Sequence, residues 1–231
     1  MNRENCPFCI PTSHDWLTKW GVSADKANAP ILSTERLKVI PDLMPVSDEF
    51  HVLITSFDHR HAFASSPELD TELSLIISIL EVRTGRPLII AEHGGVEELG
   101  VTSKVQSIHH RHLHILPATV PATQIIADAL DKERIKYTLG TAESPSPLAN
   151  RSLIEVSKGG NGYLYLHDHH RNTSLLAPDR RNKFPSQITQ RHLAIAYLGK
   201  FHNWKELLES PQSQQIAAQR IISTIERCQE K

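Results

Sequence analysis

The feature that most constrains this chain is a run of alternating histidines, His109-His110-Arg111-His112-Leu113-His114-Ile115-Leu116-Pro117. Alternate residues of a β-strand lie on the same face, about 6.6–6.8 Å apart. The alternation therefore predicts a strand from His110 to Leu116 with His110, His112 and His114 on one face. Each buried imidazole needs partners for two ring nitrogens, so three in a row are hard to explain by packing alone. We interpret the run as a functional site built on a strand.

The composition is that of a globular protein and excludes several classes of function. The chain has 231 residues with 25 Lys and Arg against 26 Asp and Glu, so its formal charge is −1 and a dedicated nucleic-acid binder is not expected. No apolar run approaches the ~20 residues of a membrane helix, and residues 1–6 lack the apolar core of a secretory signal. The 3 cysteines are too few for a disulfide framework and suit a reducing compartment. We therefore expect a cytoplasmic protein with no membrane or nucleic-acid partner.

Hydrophobic patterning predicts an α+β fold with an antiparallel β-sheet and flanking helices. Strands are predicted at residues 37–40, 51–55, 87–91, 110–116 and 135–139. Helices are predicted at residues 66–85, 124–130, 186–198 and 211–228. The turn sequence Gly159-Gly160-Asn161-Gly162 lies between apolar stretches at 152–156 and 163–166, which predicts a β-hairpin.

Residues 141–147, which are rich in Ser and Pro, are the loosest predicted segment. We expect them to join an N-terminal domain of residues 1–140 to a C-terminal extension of residues 141–231. Ala218, Ile221, Ile222 and Ile225 form an apolar helical stripe in that extension, and an exposed stripe of this kind promotes aggregation. The extension is therefore predicted to pack on the same core.

Two chemistries fit three histidines on one strand face. One is a metal site, and the other is a phosphate site in which one imidazole attacks phosphorus while its neighbours hold the phosphate oxygens. Gln106 and Ser107 precede the strand and supply neutral donors that suit phosphate oxygens. The apolar end of the strand, Ile115-Leu116-Pro117, offers no further metal ligand. The flanking residues therefore favour the phosphate site.

These residues resemble the motif of the histidine-triad nucleotide-binding (HIT) family, His-x-His-x-His followed by two apolar residues. The chain matches it with His110, His112, His114, Ile115 and Leu116, and Gln106-Ser107 resembles the family's Gly-Gln-Ser ahead of the motif. Upstream, the matching positions are Asp42, Pro45, His51 and His59, with Phe50 in place of the family's Gly and Ser56 in place of its Pro. The resemblance covers residues 6–117, and the tail, with Ser186-Gln187, Arg191 and Trp204, is similar to that of longer bacterial members.

The resemblance implies a HIT-like fold and an enzyme, a nucleotidyl hydrolase or transferase that acts on nucleoside phosphates or dinucleoside polyphosphates. In that family the middle histidine, here His112, attacks the α-phosphorus and forms a nucleotidyl-imidazole. The attacking imidazole must be neutral with its far N–H held by an acceptor, and we expect a backbone carbonyl. Gln106, Ser107 and His114 would then stabilise the phosphoryl oxygens. Members of the family are usually homodimers, so a homodimer is expected.

The resemblance also assigns two acidic residues to substrate binding. Asp42 aligns with the family acid that holds the ribose hydroxyls, although one extra residue separates it from His51 and an exposed Asp at a strand end fits equally well. Glu92, in Glu92-His93-Gly94, stands where smaller relatives carry an Asn.

The N-terminal Cys6-Pro7-Phe8-Cys9 is a Cys-x-x-Cys, which by itself is ambiguous between a zinc site, a redox pair and an accident. Some triad proteins bind zinc with such a pair and two histidines. Carried over by position, the resemblance implies a structural zinc site of Cys6, Cys9, His59 and His110. His61 is the spare candidate for the third ligand, and unpaired thiols are the alternative.

Two rival functions stay open at this point. One is a metal-dependent hydrolase that uses the histidine clusters as ligands, which would require a carboxylate that the triad strand lacks. The other is a zinc-stabilised nucleotide-binding module without catalysis. The metal-like run His167-Asp168-His169-His170 we interpret as a solvated polar loop.

Overall fold

An eight-stranded antiparallel β-sheet organises the structure, a computed structural model that describes residues 6, 8–9, 15–64, 66–95, 110–141, 148, 150–158, 162–179, 184, 187–200 and 209–229. The strands are β1 (Leu32–Ser33), β2 (Leu37–Pro41), β3 (Val52–Ser56), β4 (Leu88–Gly94), β5 (His112–Pro117), β6 (Thr138–Thr141), β7 (Gly162–Asp168) and β8 (Thr173–Asp179). Their order across the sheet is β1-β2-β3-β5-β4-β7-β8-β6, and all neighbours are antiparallel.

Seven α-helices accompany the sheet among the described residues. They are α1 (Asp15–Lys19), α2 (Ala24–Asn28), α3 (Asp70–Thr84), α4 (Ala122–Lys132), α5 (Arg151–Lys158), α6 (Ile188–Leu198) and α7 (Pro211–Gln229). A 3-10 turn over Pro67–Leu69 leads into α3, which ends at Gly85. Gly85 has a φ of 63°, a left-handed conformation that glycine adopts without a side-chain clash.

The helices cover the two faces of the sheet. Helices α3 and α7 belong to one buried cluster, which includes Ile76 of α3 and Leu113 of β5. Helices α4 and α6 belong to the other, which includes Ile126 of α4 and Leu116 of β5. Strand β5 is therefore buried on both sides, and its alternate residues serve different cores.

The predicted fold class, α+β with an antiparallel sheet and flanking helices, is confirmed. Apart from the hairpin, the predicted strands and helices are found close to their predicted positions, with shifts at their ends. The last strand of the N-terminal part, for example, spans Thr138–Thr141 instead of residues 135–139.

The predicted hairpin is wrong, because residues 152–156 lie in helix α5. The side chain of Asn150 accepts a hydrogen bond from the Leu153 N–H at 3.1 Å, as an N-cap residue does. Strand β7 pairs instead with β8, an element that the patterning did not predict, in a register that joins Gly162 to Asp179. Residues 159–161 of the predicted turn lie outside the described part of the chain.

The run His167-Asp168-His169-His170 is also not the solvated loop that we expected. His167 is 3% exposed and Asp168 is fully buried, and both end strand β7. The carboxylate of Asp168 accepts hydrogen bonds from the Arg171 N–H and the Arg171 guanidinium, both at 3.0 Å. These residues therefore close the tight turn into β8.

Strands from both halves of the chain form one sheet, since β4 pairs with β7. Helix α7 packs against α3, so its apolar stripe is buried. The division into residues 1–140 and 141–231 stays a prediction, and residues 142–147 of the joining segment lie outside the described residues. Within the described part of the chain, no helix combines the length and apolar character needed to cross a membrane.

Candidate functional site

The three triad histidines are divided between two surroundings. Strand β5 begins at His112, two residues later than predicted, and places His112 and His114 on one face with their ring centroids 5.1 Å apart. His110 precedes the strand, where the N–H of Arg111 donates to the carbonyl of Arg60 at 2.6 Å. His112 and His114 line a pocket, and His110 joins a different cluster.

His112 has one ring nitrogen fixed by the backbone. Its Nδ1 lies 2.8 Å from the carbonyl oxygen of His110, and since a carbonyl only accepts, Nδ1 carries the proton. This is the acceptor type that we expected. The Nε2 atom has no hydrogen-bond partner among the described residues. Burial, aided by His114, lowers the pKa of His112 to about 3. The residue is thus a neutral imidazole with a free lone pair at Nε2.

Asp42, His51 and His114 form a buried group that we call the carboxylate cluster. His51 Nε2 lies 3.0 Å from His114 Nδ1 and 3.2 Å from Asp42 Oδ2, and His114 Nδ1 lies 3.3 Å from the same oxygen. The N–H of Met44 donates to Asp42 Oδ1 at 2.7 Å. Burial opposes ionisation of Asp42, but His51, His114 and the Met44 N–H outweigh it and hold the pKa of Asp42 below its usual range.

The backbone also determines where His51 carries its proton. The N–H of Val46 donates to His51 Nδ1 at 3.3 Å, and burial lowers the pKa of His51 to about 4, so the neutral ring has its proton on Nε2. That proton can be shared with His114 Nδ1 or with Asp42. In either arrangement Nδ1 of His114 is engaged within the cluster, which leaves its Nε2 for a ligand.

Cys6, Cys9, His59 and His110 form a second group, the thiol cluster, whose ligand atoms all lie within 4.8 Å of one another. His110 Nδ1 is 3.4 Å from both sulfurs, and His59 Nδ1 is 3.3 Å from Cys9 Sγ. The four residues that the resemblance implies as a metal site are therefore brought together closely enough to hold a metal ion. Two thiolates and two imidazoles are a donor set typical of structural zinc.

Hydrogen bonds from surrounding groups position the residues of the thiol cluster. His110 Nε2 lies 2.8 Å from the carbonyl oxygen of Ser56, so Nε2 carries the proton and Nδ1 presents its lone pair to the sulfurs. The N–H of Cys9 donates to the carbonyl of Cys6 at 3.1 Å, and Lys38 Nζ donates to the carbonyl of Phe8 at 2.9 Å. These bonds shape the Cys-x-x-Cys loop around the cluster.

The pocket beside His112 lies between the sheet and the start of helix α6. Its lining includes the expected residues Asp42, His112 and His114. It also includes residues to which the sequence analysis assigned no role: Phe8, Met44, Leu53, His93, Gln187, Thr189 and Gln190. The ring of Phe8 is 5.2 Å from that of His112 and 5.6 Å from that of His110, so Phe8 connects the pocket to the thiol cluster.

Some of these missed residues had a signal in the sequence. His93 follows Glu92 on a buried strand, and strand alternation places the two on opposite faces of the sheet. Burial, with a contribution from His114, lowers the pKa of His93 to about 4, so His93 is a neutral imidazole at the pocket. Gln187 belongs to the tail segment that resembles longer family members. It is far from β5 along the chain, so the sequence does not predict that it lines the same pocket as His112 and His114.

Glu92 lies away from the pocket, on the opposite face of β4. Its carboxylate accepts hydrogen bonds from the Phe63 N–H and from the Tyr163 hydroxyl, each at 2.7 Å. Burial raises the pKa of Glu92 to about 7, against these bonds. The structure therefore does not bring Glu92 together with His112. Gln106 and Ser107 lie outside the described residues.

Comparisons with known proteins identify no family for this chain. No protein-family model matches the sequence, and no curated protein matches it. Among solved structures, the crystal structure of a yeast Ap4A phosphorylase is similar over 92% of this chain and 77% of that chain, with 13% sequence identity and a TM-score of 0.41.

Proposed function

We propose that the chain is a nucleotidyl hydrolase or transferase of the histidine-triad type, with His112 as its nucleophile. The observation that carries this proposal is the bond from His112 Nδ1 to the carbonyl of His110, because it leaves a fixed lone pair on Nε2 beside a pocket. The sequence resemblance supplies the substrate class, nucleoside phosphates or dinucleoside polyphosphates.

The proposed reaction has two displacement steps. The Nε2 lone pair of His112 attacks the α-phosphorus, a nitrogen–phosphorus bond forms, and the bond from phosphorus to the leaving-group oxygen breaks with its electron pair on that oxygen. Water or another nucleophile then attacks the same phosphorus and loses a proton to solvent. The nitrogen–phosphorus bond breaks, and its electron pair returns to His112.

His114 and Asp42 have supporting roles in this proposal. His114 Nε2 is placed to bind a phosphoryl oxygen, since Nδ1 is engaged by His51 and Asp42. Asp42 was predicted to hold the ribose, and that role stays a prediction. Its bonds to two imidazoles and to the Met44 N–H favour a positioning role for His114.

We also propose that the thiol cluster holds a structural zinc ion through Cys6, Cys9, His59 and His110. A bound cation would tie the N-terminal loop to His110, whose carbonyl orients His112. Four protein ligands leave no open position for a substrate. The homodimer, the cytoplasmic location and membership of the long bacterial HIT type stay predictions, and light scattering on the purified protein tests the dimer.

A metal-dependent hydrolase is the second candidate function, because the carboxylate cluster supplies the carboxylate that the triad strand lacks. Its three ligand atoms lie within 4.8 Å of one another, a spacing that also suits a metal ion. In that case His114 and Asp42 would be ligands, and His112 would not need to form a covalent bond.

The two candidates are separated by turnover of a substrate panel. Wild type and His112→Ala are incubated with dinucleoside polyphosphates and nucleoside phosphoramidates, before and after treatment with a chelator. The proposal expects wild type to release nucleoside monophosphate and His112→Ala to be inactive. Full activity of His112→Ala together with loss of activity on chelation would favour the metal-dependent hydrolase.

A further inference from the structure

The first turn of helix α6 forms part of the same pocket as His112 and His114. Gln187 precedes the helix, and Thr189 and Gln190 in its first turn also line the pocket. The first intrahelical hydrogen bond runs from the N–H of Arg191 to the carbonyl of Gln187 at 2.9 Å. The N–H groups of residues 188–190 therefore have no acceptor within the helix, as is general at helix starts.

The hydroxyl of Thr189 is a second and independent observation at this turn. Thr189 is 3% exposed, and its Oγ1 is buried without a hydrogen-bond partner among the described residues. Burying a hydroxyl without a hydrogen-bond partner costs free energy. An oxygen atom of a ligand in the pocket would supply the missing partner. By contrast, Gln190 next to it donates from Nε2 to the carbonyl of Met44 at 2.5 Å.

The charges around the turn favour an anionic group. The start of an α-helix carries a partial positive charge, and its free N–H groups bind phosphate oxygens. The carboxylate that lines the same pocket, Asp42, already accepts a hydrogen bond from the Met44 N–H and lies within 3.3 Å of His51 and His114. An anion at the α6 turn would therefore meet donors, with this pocket carboxylate already engaged in hydrogen bonds.

We propose that the first turn of α6, with the Thr189 hydroxyl, is a subsite for a phosphate group other than the one that His112 attacks. This inference rests on the proposed function, which supplies the phosphate that His112 attacks. It narrows the substrates to a compound with at least two phosphates, or to a nucleotide together with inorganic phosphate. The bound phosphate is either the leaving phosphate of a nucleoside or dinucleoside polyphosphate, or free inorganic phosphate acting as acceptor.

The test measures binding to the full-length, metal-containing protein by titration calorimetry. The probes are inorganic phosphate and the mono- and diphosphates of adenosine and guanosine. Wild type should bind at least one of the two diphosphates roughly tenfold more tightly than its monophosphate. Thr189→Val should bring this ratio close to one, Thr189→Ser should restore it, and Thr84→Val, a matched change at the end of α3, should leave it as in wild type.

Kinetics then distinguish the two sources of phosphate. If the subsite holds the leaving phosphate, Thr189→Val raises KM for a dinucleoside polyphosphate. If it holds the acceptor, the variant raises KM for inorganic phosphate, and wild type forms nucleoside diphosphate from a dinucleoside tetraphosphate only when inorganic phosphate is supplied. Should Thr189→Val unfold, Thr189→Ala, which adds no atoms, takes its place.

Equal affinity of wild type for mono- and diphosphates would overturn the subsite, as would a Thr189→Val protein with wild-type affinity ratios and KM values. The proposed function fails separately. If His112→Ala kept full turnover while Thr189→Val still lost phosphate affinity, the subsite would stand and the nucleophile assignment would fall. If His112→Ala were inactive and the Thr189 variants had no effect, the reverse would hold.

Discussion

The thiol cluster and the carboxylate cluster lie at the two ends of the segment from His110 to His114 and contain similar groups, yet their polar atoms are satisfied differently. In the carboxylate cluster, backbone N–H groups of Met44 and Val46 donate into the cluster, and the three side chains bond to one another. In the thiol cluster, both sulfurs lie 3.4 Å from His110 Nδ1, and the sulfur of Cys9 also lies 3.3 Å from His59 Nδ1.

This difference is consistent with the metal site that we propose for the thiol cluster. Lone pairs that face one another repel unless a proton or a metal ion lies between them, and thiols in a Cys-x-x-Cys lose their protons readily to a metal. In the carboxylate cluster, both ring nitrogens of His51 and Nδ1 of His114 already have hydrogen-bonding neighbours without an ion. If the proposed zinc site is correct, histidine is a ligand at one end of this short segment and a hydrogen-bonded support at the other.

The largest effect is expected from a substitution that removes a ligand of the thiol cluster. Cys6→Ser should lose the metal, since a serine hydroxyl is a poor zinc ligand, and the free energy of unfolding should fall by several kcal/mol, roughly 3 or more. Metal analysis and urea unfolding measure the two effects. Cys228→Ser, which changes a buried cysteine outside the cluster, should keep one equivalent of metal. Unchanged metal content in Cys6→Ser would contradict the proposed metal site.

A change in the carboxylate cluster should act on turnover and spare the metal. Asp42→Asn keeps the size of the side chain but removes the charge that supports His114, so kcat should fall by about 100-fold. Metal content should stay at the wild-type value. If Asp42→Asn lost an equivalent of metal instead, the carboxylate cluster would itself be a metal site, and the proposed difference between the two clusters would be wrong.

Glu92 sharpens the comparison, because it is a buried carboxyl on the opposite face from Asp42 with its pKa raised to about 7 from an ordinary 4.5. A raised native pKa means that the folded state binds the proton more tightly, so its stabilising contribution is present below the ordinary pKa and lost as pH rises through about 7. Glu92→Gln should remove this loss. Between pH ~5 and ~8, wild type should lose about 2 kcal/mol relative to the variant in urea unfolding, and parallel pH curves would contradict this.

The smallest expected effect concerns Phe8, which contacts a histidine of the thiol cluster and the nucleophile. Phe8→Ala should keep the metal and raise KM severalfold, about 1 kcal/mol of lost binding, because one wall of the pocket is truncated. The half-exposed Phe57 offers a control, and Phe57→Ala should leave KM unchanged. Equal KM values for both variants would show that the two clusters are functionally separate.

Local pattern was sufficient for much of this molecule. The alternation of residues 110–116 predicts that His112 and His114 share a face, and the stop at Gly85 is a local property of glycine. The wrong prediction of a strand at residues 152–156 also has a local explanation. The run Ser152-Leu153-Ile154-Glu155-Val156 alternates like a strand, but the N-cap of Asn150 and one buried position, Leu153, make it a helix.

The pocket wall could not be predicted from local pattern. Thr189 and Gln190 line the same pocket as His112 because α6 packs on the face of the sheet that carries the histidines, an arrangement set by tertiary packing. The structure places Glu92 on the face of β4 away from the pocket, and its predicted part in substrate binding stays a prediction. The face on which a strand residue lies depends on register, and a shift by one residue exchanges Glu92 for His93.

The most direct test of the central claim is the location of the covalent intermediate. Full-length protein is mixed with excess substrate from the panel, quenched with base within one turnover because phosphorus–nitrogen bonds to histidine are expected to be acid-labile, and digested for mass spectrometry. The account predicts a nucleotidyl adduct on the peptide that contains His112, on the imidazole itself, and no adduct in His112→Ala. An active protein that shows no adduct at any time point, or an adduct on His114 or His93, would contradict it.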